Sequence, residues 1–403
     1  MNRVAAISLP AGMYDSESSA GFVAGIALPD CSSFRSAAVV AGPDPQGGDE
    51  PIVMGVVAYN KSTKQYGVTT APQNADSWPS AQKCSAVCGV RGGFVAFALK
   101  EWEGTSAIRI HDSQVSSGSW GLKYAINFGS RIGVRVQCML ERNGTLYGFL
   151  KDGAKNYFFS VELPTSAPES SADPMLFPCD DSAAAFFPRP SPRPNPNMES
   201  SNQFMLKTIA FCNDRIYAID ETFSKVICAS LDGSSVTTLP LAKPDTWGLL
   251  IDEKLQKAYC TYVSERGGLG QDVLPYTVRS DALTRGANSI YSGFPLCPAL
   301  DAKLGLLYLP SGLDQFQVFR TDKDTAVTVT GDSPPDPDNF LDAIIGSWAD
   351  AEHGIFYASG RLPGQMTEDK LPSRVLVYEV AVTDDQGPSS SRSSTLRSAK
   401  RLR

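Results

Sequence analysis

Histidine is nearly missing from this chain: 403 residues contain two, His111 and His353. That count excludes a metal centre built on several imidazoles. Neither histidine stands in an HxxE or HxxxH pattern or beside a Ser-Asp context. A Ser-His-Asp triad assembled from separate segments stays open, because triads are defined by geometry and not by spacing. No GxSxG, phosphate loop or GxGxxG falls between a strand and a helix. No apolar run reaches the roughly 18 residues that a membrane-spanning helix needs. Met1–Pro10 carries one charge and a short apolar stretch broken at Pro10, a poor secretion signal. The net charge is −7 and no basic cluster marks the body of the chain, which argues against nucleic acid as a partner.

The nine cysteines are odd in number and show no framework spacing. Cys138, Cys212, Cys228 and Cys260 sit inside apolar runs, where a thiol acts as a small hydrophobe. A reducing compartment, read as the cytoplasm, and few or no disulfides follow. Cys84 and Cys88 form the one close pair, and no further Cys or His stands near to complete a metal set. The acidic Asp332–Asp338 stretch lacks the glycine and spacing of a calcium loop and reads as a Pro-rich turn. Asn60-Lys-Ser and Asn143-Gly-Thr match the glycosylation pattern, which is common by chance. No catalytic residue, metal ligand or cofactor site is assigned from these patterns.

What the chain does have is a repeat. Asp252, Asp301 and Asp350 recur at a step of 49, and each precedes a tyrosine by seven residues: Tyr259, Tyr308 and Tyr357. A small residue stands four before each Asp: Gly248, Cys297 and Gly346. A period of about 40–50 residues marks a solenoid, propeller or array. Each unit reads as short β runs joined by turn residues, with no helical periodicity. The first contains runs ending near Asp252, then 257–263, 273–278 and about 289–292. Four strands per unit is the content of a propeller blade. The Asp suits the turn between the first two strands, since its side chain can bond the backbone two residues on. The small residue belongs on the innermost strand, where blades crowd the axis. Both are read as structural.

Equivalent aromatic or apolar positions fall near 96, 147 and 217, which gives six units. Asn143-Gly144 and Asp152-Gly153 between apolar runs are hairpin signals, because both tolerate positive φ. The N-terminal 80 residues must supply a seventh unit and a strand that closes the ring, since an open end leaves strand edges unpaired. The expected fold is all-β: a seven-bladed propeller of four-stranded antiparallel blades over residues 1–382, closed by an N-terminal strand in the last blade. Residues 165–202, rich in Ser, Ala and Pro, read as a disordered insertion. Pro188–Pro196 has proline at every second position, a spacing unlike a PxxP ligand. Residues 383–403 read as a disordered tail with five basic residues: Arg392, Arg397, Lys400, Arg401 and Arg403. A solvated tail is the plain reading, with a nuclear address or an anionic-surface contact as the alternative.

The blade pattern resembles the broad β-propeller superfamily over about residues 50–382. It lacks the Gly-His and Trp-Asp marks of WD40 repeats, and its diglycines do not keep the kelch period. The Asp-to-Tyr turn is similar to that of lactonase-like seven-bladed propellers. That resemblance implies acidic and amide residues around a central channel, and no motif here matches one by one. Two main function classes stay open. One is a monomeric interaction scaffold that holds a protein partner by its top face or central mouth. The other is a lactonase-like hydrolase with a divalent cation in the channel. A carbohydrate-binding propeller is disfavoured, because Trp78, Trp102, Trp120, Trp247 and Trp348 share no repeat position.

Overall fold

The computed structural model describes residues 2–8, 22–24, 34–42, 52–70, 84–99, 107–112, 121–128, 134–153, 155–164, 174–179, 209–219, 225–243, 246–263, 271–280, 282–286, 289–293, 298–310, 316–327, 343–361 and 373–380. Its strands form seven sheets. β1 (Asn2–Ser8) belongs to the last of them. Blade one is β2 (Phe22–Ala24), β3 (Phe34–Gly42), β4 (Ile52–Asn60) and β5 (Gln65–Thr70). Blade two is β6 (Cys84–Val90), β7 (Phe94–Leu99), β8 (Ala107–Asp112) and β9 (Gly121–Asn127). Blade three is β10 (Val134–Arg142), β11 (Thr145–Asp152), β12 (Lys155–Glu162) and β13 (Met175–Pro178). Blade four is β14 (Ile209–Cys212), β15 (Arg215–Ile219), β16 (Lys225–Ser230) and β17 (Val236–Pro240). Blade five is β18 (Thr246–Asp252), β19 (Lys257–Val263), β20 (Gln271–Arg279), β21 (Ala282–Arg285) and β22 (Tyr291–Gly293). Blade six is β23 (Ala299–Asp301), β24 (Leu306–Pro310), β25 (Phe316–Arg320) and β26 (Thr325–Val327). Blade seven is β27 (Ala343–Asp350), β28 (Ile355–Arg361) and β29 (Ser373–Glu379), completed by β1. The N-terminal strand therefore closes the ring, pairing antiparallel with β29 from Asn2↔Glu379 to Ser8↔Arg374.

Each blade is sandwiched between two others, so its middle strands are buried on both faces. Ala258 through Tyr262 on β19 are all buried in succession. This is why the second strands read as continuous apolar runs and not as an alternation. The core is accordingly divided into layers between neighbouring blades. Cys212, Tyr217, Val226, Leu249, Cys260 and Tyr276 form the layer between blades four and five. Tyr259, Val273, Leu307, Leu309 and Phe319 form the layer between blades five and six.

The repeat residues have the structural jobs their spacing implied. Asp252, Asp301 and Asp350 are buried at the ends of inner strands. Their Oδ1 atoms accept turn N–H groups: Leu255 (3.2 Å), Lys303 and Leu304 (3.0 and 2.9 Å), Glu352 and His353 (3.1 and 3.3 Å). Each turn ends four residues later in the left-handed region, at Gln256, Gly305 and Gly354. Gly248 and Gly346 follow β-bulges in the inner strands, and so do Ala86 and Cys138 in blades two and three. A Cβ at Gly248 would lie 2.5 Å from Thr261 Oγ1, so the bulge brings the backbone against its neighbour strand.

Two segments differ from expectation. Met175–Pro178 lies inside the stretch read as an insertion, yet it is the outer strand of blade three. Prolines at 174 and 178 argue against a strand, but an outermost strand needs no ladder on its free side. Phe177 fixes it: its ring stacks on Phe158, and it lies where a Cβ on Gly233 of blade four would stand, 2.3 Å from the nearest ring carbons. In blade five the outer position is split between β21 and β22, whereas only the run near 289–292 was expected. Pro275 of β20 sits between the two paired stretches and has no N–H to offer a continuous partner. Pro188–Pro196, Asp332–Asp338 and the tail 383–403 lie outside the described residues.

Candidate functional site

Antiparallel order places the turn after the first strand and the turn after the third strand at one end of every blade. This turn face is largely described. The loops of the opposite face, together with Cys31, Cys297, Trp78, Trp102 and Trp120, fall mostly outside the described residues. Three of the tyrosines at this repeat position link neighbouring blades by their hydroxyls. Tyr217 O–H donates to the Arg279 carbonyl oxygen (3.5 Å) in the next blade. Tyr259 O–H donates to the Thr321 carbonyl oxygen (3.1 Å) and to Asp324 Oδ1 (3.3 Å). Tyr357 O–H exchanges a hydrogen bond of 2.6 Å with Ser36 Oγ. Burial raises all three phenols above their ordinary value.

Between blades four and five the turn face opens into a cleft of about 500 Å³. Blade four contributes Cys212, Asn213, Asp214, Arg215, Tyr217 and Ser230. Blade five contributes Gln256, Val278, Arg279 and Ser280. The size falls within the range of pockets that take small ligands, about 300–1,000 Å³. Arg215 is half-buried, and its Nη1 donates to Cys228 Sγ at 3.4 Å. Arg279 is exposed at the opposite wall. Burial pushes the Cys212 thiol up to about 11, aided by the Glu253 carboxylate, so it is no ready nucleophile. At the rim, Arg142 of blade three donates to the Asn213 carbonyl oxygen (2.6 Å) and to both Glu253 oxygens, and it lies over the Phe211 ring. One guanidinium thus ties three consecutive blades beside the cleft.

The other residues singled out in the sequence are used elsewhere. His353 Nδ1 lies 2.8 Å from Asp350 Oδ2 and is part of its own turn, where the other repeats carry Leu255 and Leu304. His111 is buried on β8 with its ring beside Phe97. Asn60 Oδ1 accepts from Ser62 and Thr63 in a turn, and Asn143 Oδ1 accepts from Arg91. Cys88, Cys138, Cys179, Cys212, Cys228 and Cys260 are buried, and none is in a disulfide. Burial raises the Cys88 thiol and pushes Cys138 and Cys260 up to about 12. Among the described residues no group of three or more His, Cys, Asp or Glu side chains is placed to hold a metal ion. Among the described residues no helix is long and apolar enough to cross a membrane.

Arg215 and Arg279 were not singled out by sequence reasoning. The available signal was phase. Two residues before the repeat tyrosine, blades three to seven carry Thr145, Arg215, Lys257, Leu306 and Ile355. Two of these five are cations, in adjacent blades, at a position whose neighbours are buried.

No family model matches the chain, and no curated protein matches its sequence. Solved structures do resemble it. The β-propeller domain of Cps50 (Swd1) from Myceliophteria thermophila aligns with a TM-score of 0.50 at 10% identity, covering 94% of this chain and 99% of that one. A provisionally assigned 6-phosphogluconolactonase from Bacteroides fragilis aligns with a TM-score of 0.46 at 11% identity, covering 88% and 90%. Hydrazine synthase of Kuenenia stuttgartiensis gives 0.48 at 11% identity, covering 86% and 93%. Strand order and the likeness to the Cps50 domain agree on the fold alone: the chain is a seven-bladed β-propeller.

Proposed function

We propose that this propeller is an interaction scaffold that seats a protein partner on its turn face, around the mouth of the axis. One observation carries the reading: the turns are constant inside and variable outside. The buried Asp of each repeat is consumed by its own turn, which fixes the backbone. The outward positions of those same turns differ from blade to blade: Lys254, Leu255 and Gln256; then Ala302 and Lys303; then Glu352 and His353. Leu255 is 40% exposed, unusual for a large apolar side chain in a turn. A rigid frame with varied side chains at fixed places is what recognition without chemistry requires.

The test is photo-crosslinking in the full chain. Crosslinkers at Lys254 and Lys303 on the turn face should capture the same protein, and one at Thr237 on the outer strand of blade four should not. Equal capture from all three positions would count against the reading. A thermal-shift titration with Ca²⁺, Mg²⁺, Mn²⁺ and EDTA addresses the hydrolase alternative. A rise with one cation, reversed by EDTA, would move the assignment to a channel enzyme.

A further inference from the structure

The second strands of blades four and five begin alike. Lys257 and Tyr259 stand first and third on β19; Arg215 and Tyr217 stand first and third on β15. In blade five both polar ends meet one carboxylate of the next blade. Lys257 Nζ lies 2.5 Å from Asp324 Oδ2, and Tyr259 O–H donates to Asp324 Oδ1. Asp324 closes a four-residue turn between Arg320 and Thr325 and has φ 51°. The corresponding connection of blade five is built differently: from Thr277, the equivalent of Arg320, the strands stay paired for two more positions and close in a two-residue turn between Arg279 and Ala282. There, among the described residues, no carboxylate hydrogen-bonds Arg215 or Tyr217. Among the described residues Arg215 has only the weak sulphur acceptor of Cys228, and the Arg279 guanidinium has no hydrogen bond or ion pair with any of them. Asp214 lines the cleft without pairing with either arginine.

The geometry points to a carboxylate-binding site in the cleft between blades four and five, occupied by an acidic side chain of the protein partner. The molecule itself shows the occupant's chemistry, because Asp324 fills the same place one blade on. Two guanidiniums on facing walls suit a carboxylate better than one ammonium does, since each can offer paired N–H donors. The carboxylate nearest in effect to Arg215, Asp232, accepts from Ser234 in its own turn and, among the described residues, makes no hydrogen bond to the guanidinium, so its donors stay open to a bound carboxylate. The source of the carboxylate rests on the interaction reading; the site itself does not.

The experiment is fluorescence anisotropy of a labelled Gly-Asp-Glu-Asp-Gly peptide against the full chain, with the Asn/Gln peptide as control. The acidic peptide should bind and the amide peptide should not, with affinity falling as salt is raised. Arg215→Ala and Arg279→Ala should each weaken binding by about tenfold or more, the loss expected of a charge-assisted hydrogen bond. Arg279 is exposed, so its variant keeps the test valid if Arg215→Ala folds poorly. Ser280→Glu, which supplies an internal acid, should also weaken binding. Asp281 lies outside the described residues, and Asp281→Asn should leave peptide binding intact. If the wild type ignores the peptide, or Asp281→Asn alone creates the binding, the cleft carries its own acid or none and the inference fails. Glutarate binding as tightly as the peptide would overturn the side-chain source, and inorganic phosphate binding more tightly would overturn the carboxylate. The two readings fail separately. Crosslinks to a partner that survive Arg215→Ala and Arg279→Ala sink the site and leave the scaffold. Peptide binding with no crosslinked partner sinks the scaffold and with it the partner as source.

Discussion

The interfaces between blades four and five and between blades five and six share one backbone plan and differ at the turn end. In the second, Asp252 Oδ2 accepts from Thr321 Oγ1 at 2.8 Å, buried, and Lys257 with Tyr259 meets Asp324. In the first, the place of Asp252 is held by Cys212. The place of Thr321 is held by Val278: both donate their N–H to the closing residue of the first turn, Gly305 and Gln256. An apolar pair thus replaces a hydrogen-bonded one. The apolar layers beneath, with Tyr217 and Tyr259 at their centres, are alike. The apolar layer is enough to hold the ring, and the polar end of each interface is left to vary. One end is sealed by a salt bridge; the other opens as a cleft.

The largest effect that bears on this comparison is alkaline. Burial raises Tyr217 and Tyr259 well above the ordinary phenol value of 10.0, and the Asp324 charge adds to the shift of Tyr259. Tyr262 and Tyr276 rise to about 12, and the Cys138 and Cys260 thiols rise from 9.0 to about 12. A folded pKa above the unfolded one means that the folded state keeps its proton while the unfolded chain releases it. The unfolded state then binds fewer protons, so stability is fully present below about pH 9 and is lost as pH rises through 12. Melting temperatures by circular dichroism should be flat to about pH 9 and fall steeply above pH 10. With Asp324→Asn the part due to Tyr259 shrinks and that of Tyr217 does not. An unchanged melting temperature at pH 11 would contradict the buried tyrosine ladder.

Next in size is Asp252→Ala. It removes the turn acceptor and leaves Thr321 Oγ1 buried without its partner, a cost of about 2–3 kcal/mol. Cys212→Ala, at the same place in blade four, loses only a small apolar group and costs about 1 kcal/mol. Urea unfolding of the two variants measures the difference, and equal losses would erase the distinction between the two interfaces. Asp324→Asn comes third, at about 1 kcal/mol. The pair is partly exposed, with side chains 21% and 28% accessible, so solvent screens much of it. A double-mutant cycle with Lys257→Met isolates the pair term. A coupling of zero would mean that Asp324 is no guide to what Arg215 binds.

The ring was legible because one pattern does two jobs. The Asp at 252, 301 and 350 writes the turn, the Tyr seven residues on writes the core, and both recur in blades five, six and seven. Closure by β1 followed from strand-edge chemistry and from the number of units. Blade three's outer strand was hidden because Phe177 makes it through packing on Phe158 and Gly233, against the local composition. The split in blade five was hidden in a proline whose effect depends on which neighbour it faces. The cleft was hardest to see, since Arg215 and Arg279 belong to different blades and meet only once the blades are in register. Aligning on the tyrosine would have exposed Arg215 beside Lys257, but not the different closure of the blade-five hairpin, which leaves it without Asp324.

The smallest effect extends the comparison to a third interface. Tyr308 stands on β24 where Tyr217 and Tyr259 stand on their strands, and its ring stacks on Phe356 at 4.6 Å between centroids. Its hydroxyl is buried and, among the described residues, has no hydrogen-bond partner. An unsatisfied hydroxyl has a desolvation cost and no return, so Tyr308→Phe should be neutral or stabilising by a few tenths of a kcal/mol. Tyr259→Phe should instead cost about 1 kcal/mol, because Thr321 and Asp324 lose a donor. Opposite signs for these two changes in urea unfolding would show that the phenol in this repeat is retained first for its ring. Its hydroxyl then adds stability only where the next blade offers it an acceptor, as Thr321 and Asp324 do for Tyr259. A clear loss in Tyr308→Phe would place a polar partner at the blade six–seven interface and make that interface resemble its neighbours.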